Sequence, residues 1–484
     1  MQAYNPFLPA GEYIPDGEPH VFPDSLTGQN GVYLYGSHDR FNAPLFCLND
    51  YVCWSAPEDD LRQWRCSGVI YRKQQDPLNR LGLHPLFAPD VTRGPDGRYY
   101  LYYGLGFTGV MGVAVCDAPD GEYQFHGHIR WPDGRRWGSC KGDEFPFDPA
   151  VLTDEDGRVW LYSGFATKVP AIATGLRSLR NSGGVVLELA PDMLTILQGP
   201  KLLFPRRGNQ PPADFAGHEF FEASSIRRVE GRYVFVYSSA NNHELCYAVS
   251  DRPDGPFSFG GTLVDQGDLY LHGQIDEARA LNYLGNTHGG LVRAGGQWYI
   301  FYHRQTNQHS YSRQACAEAL ERDHEGRFLQ AEVTSCGLNG ASLRETGEYP
   351  AYIACMLWSR NGVARYDRPF RKRRHPFITQ FGKDGDPAAI QYIANMRDGA
   401  VAGFRYFDIL NVRHIRVAVG GRCRGTLEVS HLQDFSTLAA QISLSAKGSI
   451  KNISAVLTLP KGKQALFFRF KGKGAMNFYA FEMI

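Results

Sequence analysis

The 484-residue sequence has no stretch near the roughly 18 uninterrupted apolar residues that a membrane-spanning helix needs. Its opening, MQAYNPFLPAGEY, lacks the basic and apolar segments of a secretory signal. Net charge is nearly absent too. The 51 Lys+Arg against 50 Asp+Glu leave +1, which gives no reason to expect nucleic acid and suits a neutral ligand. None of the ten cysteines lies in a Cys-x-x-Cys pair, and the nearest two, Cys47 and Cys53, lack zinc-site or redox spacing. These absences predict a cytoplasmic protein with reduced thiols and neither membrane nor nucleic-acid partners. Disorder is excluded, because 43% of residues are hydrophobic and only 21% charged.

What is abundant is turn-forming and aromatic: 53 Gly, 28 Pro and 26 Tyr give an all-β bias. Five segments repeat one shape, a tight glycine turn followed by an aromatic strand. They are NGVYLYGS (30–37), DGRYYLYYG (96–104), DGRVWLYSG (156–164), EGRYVFVYS (230–238) and GGQWYIFYH (295–303). Their aligned Tyr35, Tyr102, Tyr162, Tyr237 and Tyr302 fall 67, 60, 75 and 65 residues apart. Five units long enough for four strands each predict a five-bladed β-propeller.

Each unit carries a polar residue ahead of its turn: Asp16, Asp90, Asp148, Glu222 and His288. The first strand of a propeller blade lines the central channel, so these side chains are expected to converge at one mouth. Crowded, buried carboxylates cannot all ionise, so one is expected to stay protonated while another remains charged. Such an acid and base, separated by about 6.5–9.5 Å, are what inverting glycoside hydrolysis requires. Trp54, Trp64, Trp131, Trp137 and Trp298 could stack on sugar faces, although large aromatics belong more often to cores.

These motifs together, PDGEPHVF…VYLYGSHD, FAPDV, DPAVLTDEDGRVWLYSG, FEASSIRRVEGRYVFVYSS and NTHGG…WYIFYHR, resemble glycoside hydrolase family 43 over roughly residues 5–340. The resemblance implies a five-bladed propeller that hydrolyses xylose- and arabinose-containing glycans with inversion. It implies Asp16 as general base, Asp148 as the residue that tunes and orients the acid, and Glu222 as general acid. It further implies Asp90 and Arg313 at the substrate, and His288 facing a calcium ion or water in the channel, with no cofactor required for the chemistry. Here Asp16 is followed by Gly17-Glu18-Pro19 rather than directly by proline, which makes Glu18 a rival base. Glu219 in HEFFEAS is a rival acid, although Glu222 stands nine residues from Gly231, as Asp148 does from Gly157.

Beyond about residue 350 the repeat stops and the charge changes. Residues 351–484 carry 21 Lys+Arg against 8 Asp+Glu, a net +13, so residues 1–350 carry −12. The basic run RPFRKRRHPF (368–377) reads as a solvated linker or interdomain surface. Seven strand-like runs follow, between GFRYFDI (403–409) and MNFYAFEMI (476–484), and predict a jelly-roll-like β-sandwich. The last runs resemble a carbohydrate-binding module, and a sandwich that merely buttresses the propeller is the alternative. The expected organisation is therefore a catalytic propeller over 1–345 and a sandwich over 346–484. The expected activity is exo-acting β-xylosidase or α-L-arabinofuranosidase on short oligosaccharides. An endo-arabinanase and a non-catalytic glycan-binding propeller are the alternatives.

Overall fold

The computed structural model describes residues 2–484 apart from 26, 168–170, 207, 209–212 and 367–373, and the side chains of 172, 173 and 272. Most of the basic run at 368–377 therefore lies outside the described residues. The chain forms five antiparallel sheets in succession and then one larger sheet. Blades 1 to 4 have four strands each and blade 5 has three. Their innermost strands are Glu18–Pro23, Leu86–Arg93, Ala150–Thr153, Phe220–Val229 and Leu291–Ala294. This is the five-bladed propeller expected from the repeat.

The recurring tyrosine has a physical reason. Tyr35, Tyr102 and Tyr162 are each at most 0% exposed, and each donates its hydroxyl to a carbonyl of the following blade, at Pro119, Met193 and Pro253. The ring fills the wedge between blades, and its single polar atom is satisfied across the gap. Blades 1 and 5 meet through a parallel bridge between Gly17 and Gly289, which closes the ring. A side chain at Gly289 would collide with the Phe301 carbonyl at 2.0 Å, so only glycine lets the strands meet there.

The C-terminal domain is one nine-stranded sheet with a hydrophobic core of its own. The sequence runs pair up into long strands: 414–420 and 425–431 make up most of His414–Ser430, and 465–472 and 476–484 most of Gly462–Met483. Gly421 and Gly474, at φ 85° in both cases, let these strands bend so that the sheet curls over its core. The result is a half-barrel, sandwich-like domain.

Candidate active site

Asp16, Asp148 and Glu222 line a single cavity of about 290 Å³ at the channel mouth, together with His288 and Arg313. Backbone geometry at the heads of the inner strands aims them there. Asp16 (φ 56°), Ala88 (φ 24°), Asp148 (φ 44°) and Ala223 (φ 68°) all lie in the left-handed region, in blades 1 to 4. Such conformations cost of order 1–3 kcal/mol each and gather at functional sites. The cavity wall is aromatic: Phe46, Phe87, Phe147, Phe165, Phe221 and Tyr366. None of the five tryptophans singled out from sequence lines it; they pack within or against the blade cores.

The three carboxyl groups sit in different fields. Burial would raise Asp16, but the Arg313 guanidinium, donating to it at 2.9 Å, brings it below the usual carboxylate range. Burial raises Asp148 to about 7, with His288 opposing the shift and the Asp16 charge adding to it. Burial pushes Glu222 well above its usual range, and the Asp148 charge pushes it further. Near neutral pH the cavity therefore holds an ionised Asp16 and a protonated Glu222. Burial works against a charged His288, yet Glu18, Asp148 and Asp16 carry it up to about 9, leaving an imidazolium among the carboxylates. Its Nδ1 lies 4.0 Å from Asp16 and 3.7 Å from Asp148.

Two supporting residues escaped sequence reasoning. Asp39 grips Arg313 with both oxygens, at 2.9 and 3.0 Å, and so fixes the guanidinium against Asp16. His303 accepts the Asp16 backbone N–H at its Nδ1 (3.2 Å) and, driven by burial down to about 3, stays neutral. It therefore pins the left-handed backbone of Asp16. Their signal lay in the motifs VYLYGSHD and WYIFYHR, where a buried polar residue follows the aligned tyrosine by four residues or one.

One expected site residue and both rivals lie elsewhere. Asp90 does not line the cavity. Its carboxylate is fully buried deeper in the channel, bonded to His20 Nε2 at 2.6 Å and accepting from the Val91 and Val151 amides, so it has no face left for a substrate. Register is the reason. Asp90 stands opposite the aligned Tyr102, as Glu18 stands opposite Tyr35 and Ala150 opposite Tyr162. Asp16, Ala88 and Asp148 each come two residues earlier, one pleat nearer the mouth. The rival base Glu18 belongs to the deeper level too, where Ser225 and Arg227 each donate to its Oε2 at 2.9 Å. The rival acid Glu219 does not line the cavity either.

The deeper level also decides the fit of a channel metal. Among the described residues, Glu18, His20 and Asp90 form one of two clusters with metal-like spacing. Calcium takes six to eight oxygen ligands. Here the Arg227 guanidinium already lies among them, donating to Glu18 and to the Pro19 carbonyl. The remaining Glu18 oxygen faces the His288 imidazolium at 3.7 Å. With Arg227 among them and one spare carboxylate oxygen, Glu18, His20 and Asp90 do not by themselves fit calcium, while the Glu18 Oε1 and His288 Nε2 that face each other are both without a hydrogen-bond partner among the described residues. The second cluster, His218, Glu244 and Cys246, is closed because Glu244 accepts from His218, Ser239, Asn241 and Thr262.

Comparison with known proteins identifies the family. Residues 23–328 match the model for glycosyl hydrolases family 43. A xylosidase/arabinosidase of Thermoclostridium stercorarium is 46% identical over 100% of this chain and 99% of its own. The chain belongs to glycosyl hydrolases family 43. A β-xylosidase of Xylanibacter ruminicola is 31% identical over 66% of this chain and 96% of its own. An arabinoxylan arabinofuranohydrolase of Bacillus subtilis, solved with cellotetraose, shares the fold at 20% identity and TM-score 0.50, covering 99% of this chain and 97% of that one. The family-43 match contains Asp148, Glu222, His288 and Arg313, and Asp16 precedes it. The closure of blade 1 onto blade 5 brings that aspartate to the others.

Proposed function

We propose that the protein is an inverting, exo-acting xylosidase/arabinosidase that removes terminal pentose units from xylan- or arabinan-derived oligosaccharides. The observation that carries this reading is the convergence of Asp16, Asp148 and Glu222 on one aromatic-lined cavity, where Arg313 favours an ionised Asp16 and burial a protonated Glu222. Asp16 takes a proton from a water whose oxygen attacks the anomeric carbon. As the glycosidic C–O bond breaks, Glu222 delivers its proton to the departing oxygen, and the configuration at the anomeric carbon inverts. Asp148 adds its charge to the burial that keeps Glu222 protonated and braces the next residue of that strand, accepting the Ala223 amide at 3.0 Å. Arg313, on the cavity wall, holds Asp16 ionised and oriented.

The relative that is 46% identical over the whole chain supports the pentosidase assignment. A non-catalytic binding propeller would have no use for an acid and a base held at opposite protonation. The test is hydrolysis of aryl β-D-xyloside and aryl α-L-arabinofuranoside, with the first-formed anomer followed by NMR. Activity with inversion on either supports the reading. Absence of hydrolysis of both, or a retained anomer, overturns it.

A further inference from the structure

We infer that the C-terminal domain completes the active site by placing Tyr366 at the mouth of the cavity, where it stacks on the leaving-group sugar. The inference deepens the glycosidase reading and rests on it. Among the described residues that line the cavity, Tyr366 alone comes from beyond the propeller, and at 42% it is the most exposed. The carboxylates at the floor are 6% exposed at Asp16 and 4% at Asp148. In an exo-acting cavity the terminal sugar fills the floor, so the next sugar lies at the solvent-facing end, beside Tyr366. A phenol ring held there offers an apolar face for a pyranose and a hydroxyl for its rim.

The ring is held by a defined path. The chain leaves the C-terminal sheet at strand Met356–Trp358, makes a tight turn at Ser359–Gly362, and crosses to the connection between blades 4 and 5. There Leu284 donates to the Ala364 carbonyl at 3.0 Å, Tyr366 donates to the Leu284 carbonyl at 3.1 Å, and Arg365 pairs with Glu277. The same connection supplies Asn286 to the cavity wall. The C-terminal domain also grips the opposite side of the mouth. Asp384 accepts from the Phe41 amide at 2.6 Å and from Asn49 at 3.0 Å, bracketing the loop that carries Phe46 and Cys47. The Ile378 carbonyl accepts from the Asn307 amide at 2.7 Å, beside Ser310 of the wall. A domain tied to both sides of the mouth is part of the site, which distinguishes it from a tethered glycan-binding module.

The experiment compares two substrates of the pentose that the wild type releases: its disaccharide, which has a leaving-group ring, and its glycosyl fluoride, which has none. Tyr366→Ala is expected to lower kcat/KM on the disaccharide about tenfold while leaving the fluoride within about twofold. Tyr366→Phe keeps the ring and is expected to restore the disaccharide rate to within about threefold of wild type. Equal effects of Tyr366→Ala on both substrates, or no effect on the disaccharide, overturn the inference. Failure of the wild type to hydrolyse either substrate overturns the glycosidase reading instead. Because Tyr366 is largely exposed, the melting temperature of both variants is expected to match wild type and serves as the folding control.

Discussion

Two levels of one channel are built from the same residue types, on the same strands, two positions apart, and they behave in opposite ways. At the deeper level Glu18, His20, Asp90 and Arg227 form ion pairs and hydrogen bonds with one another and with backbone groups. Asp90 is held below its usual range, burial being outweighed by His20 and Arg227. Burial and Arg227 in turn lower His20, which therefore serves Asp90 chiefly as a hydrogen-bond donor. At the mouth the cations are too few. Asp16 takes Arg313, His288 is shared among several carboxylates, and burial raises Asp148 and Glu222 further than His288 and Arg313 can offset. A neutralised cluster is structure; an under-compensated one beside an open cavity is a reagent.

That contrast is tested first at the mouth, where the largest effects are expected. Glu222→Gln removes the proton donor and is expected to lower kcat about 10³-fold on oligosaccharides. The loss should shrink on aryl glycosides whose leaving group needs no proton. Asp16→Asn removes the base, so its comparable loss, about 10³-fold, should be independent of the leaving group. A Glu222→Gln defect equal on both substrate classes would break the assignment of acid and base. Asp148→Asn is expected to cost about 10²-fold and to move the alkaline limb of the kcat profile to lower pH. The sign follows from Asp148 raising Glu222: without that charge, Glu222 gives up its proton at lower pH. A limb that stays in place would mean that Asp148 acts only by position.

Stability should move the other way at the two levels. Folded Glu222 retains a proton that the unfolded chain releases above its ordinary 4.5, so this carboxyl opposes folding increasingly as pH rises past that value. Glu222→Gln should therefore raise the melting temperature at pH 7–8 while lowering activity on oligosaccharides. Arg227→Met at the deeper level leaves Glu18 buried without its cation and should cost about 3–5 kcal/mol. Adding Glu18→Gln should recover most of that loss. Differential scanning calorimetry of the four proteins distinguishes the two levels. A stabilising Arg227→Met would show that the deeper network is not neutralised as described.

The propeller was legible because one turn and one tyrosine recur at blade spacing, and the tyrosine recurs because it satisfies the next blade's carbonyl. The same tyrosine already held the depth information that would have placed Asp90. Asp148 and Glu222 lie nine residues before their turn glycines, whereas Asp90 lies seven before Gly97. Two residues along a strand is one pleat, so Ala88, nine before Gly97, is the position that reaches the cavity, and it does line it. Asp39, His303 and Tyr366 were harder to find, because each acts across a contact of long sequence separation: 274 residues from Asp39 to Arg313 and 287 from Asp16 to His303. Periodicity reports the local strand pattern and carries no record of which loops meet at a mouth. The C-terminal runs betrayed strands but not strand length, because Gly421 and Gly474 bend single strands that read as two.

The smallest effect expected is that of chelation, and it bears directly on the deeper level. A divalent ion there would have to displace Arg227 from Glu18 and the Pro19 carbonyl, or take the one Glu18 oxygen that faces the His288 imidazolium. Either route places two positive charges beside the ion in a buried channel, where their repulsion is poorly screened. Gly290 shows how little room is left, since a Cβ added there would lie 2.4 Å from Glu18 and 2.7 Å from Ser225. Exhaustive treatment with EDTA should therefore leave kcat/KM and the melting temperature unchanged, and added calcium should shift neither. A melting temperature that rises with calcium in the wild type would show that Arg227 yields its place. If the shift appears only in Arg227→Met, the guanidinium is the channel's resident cation.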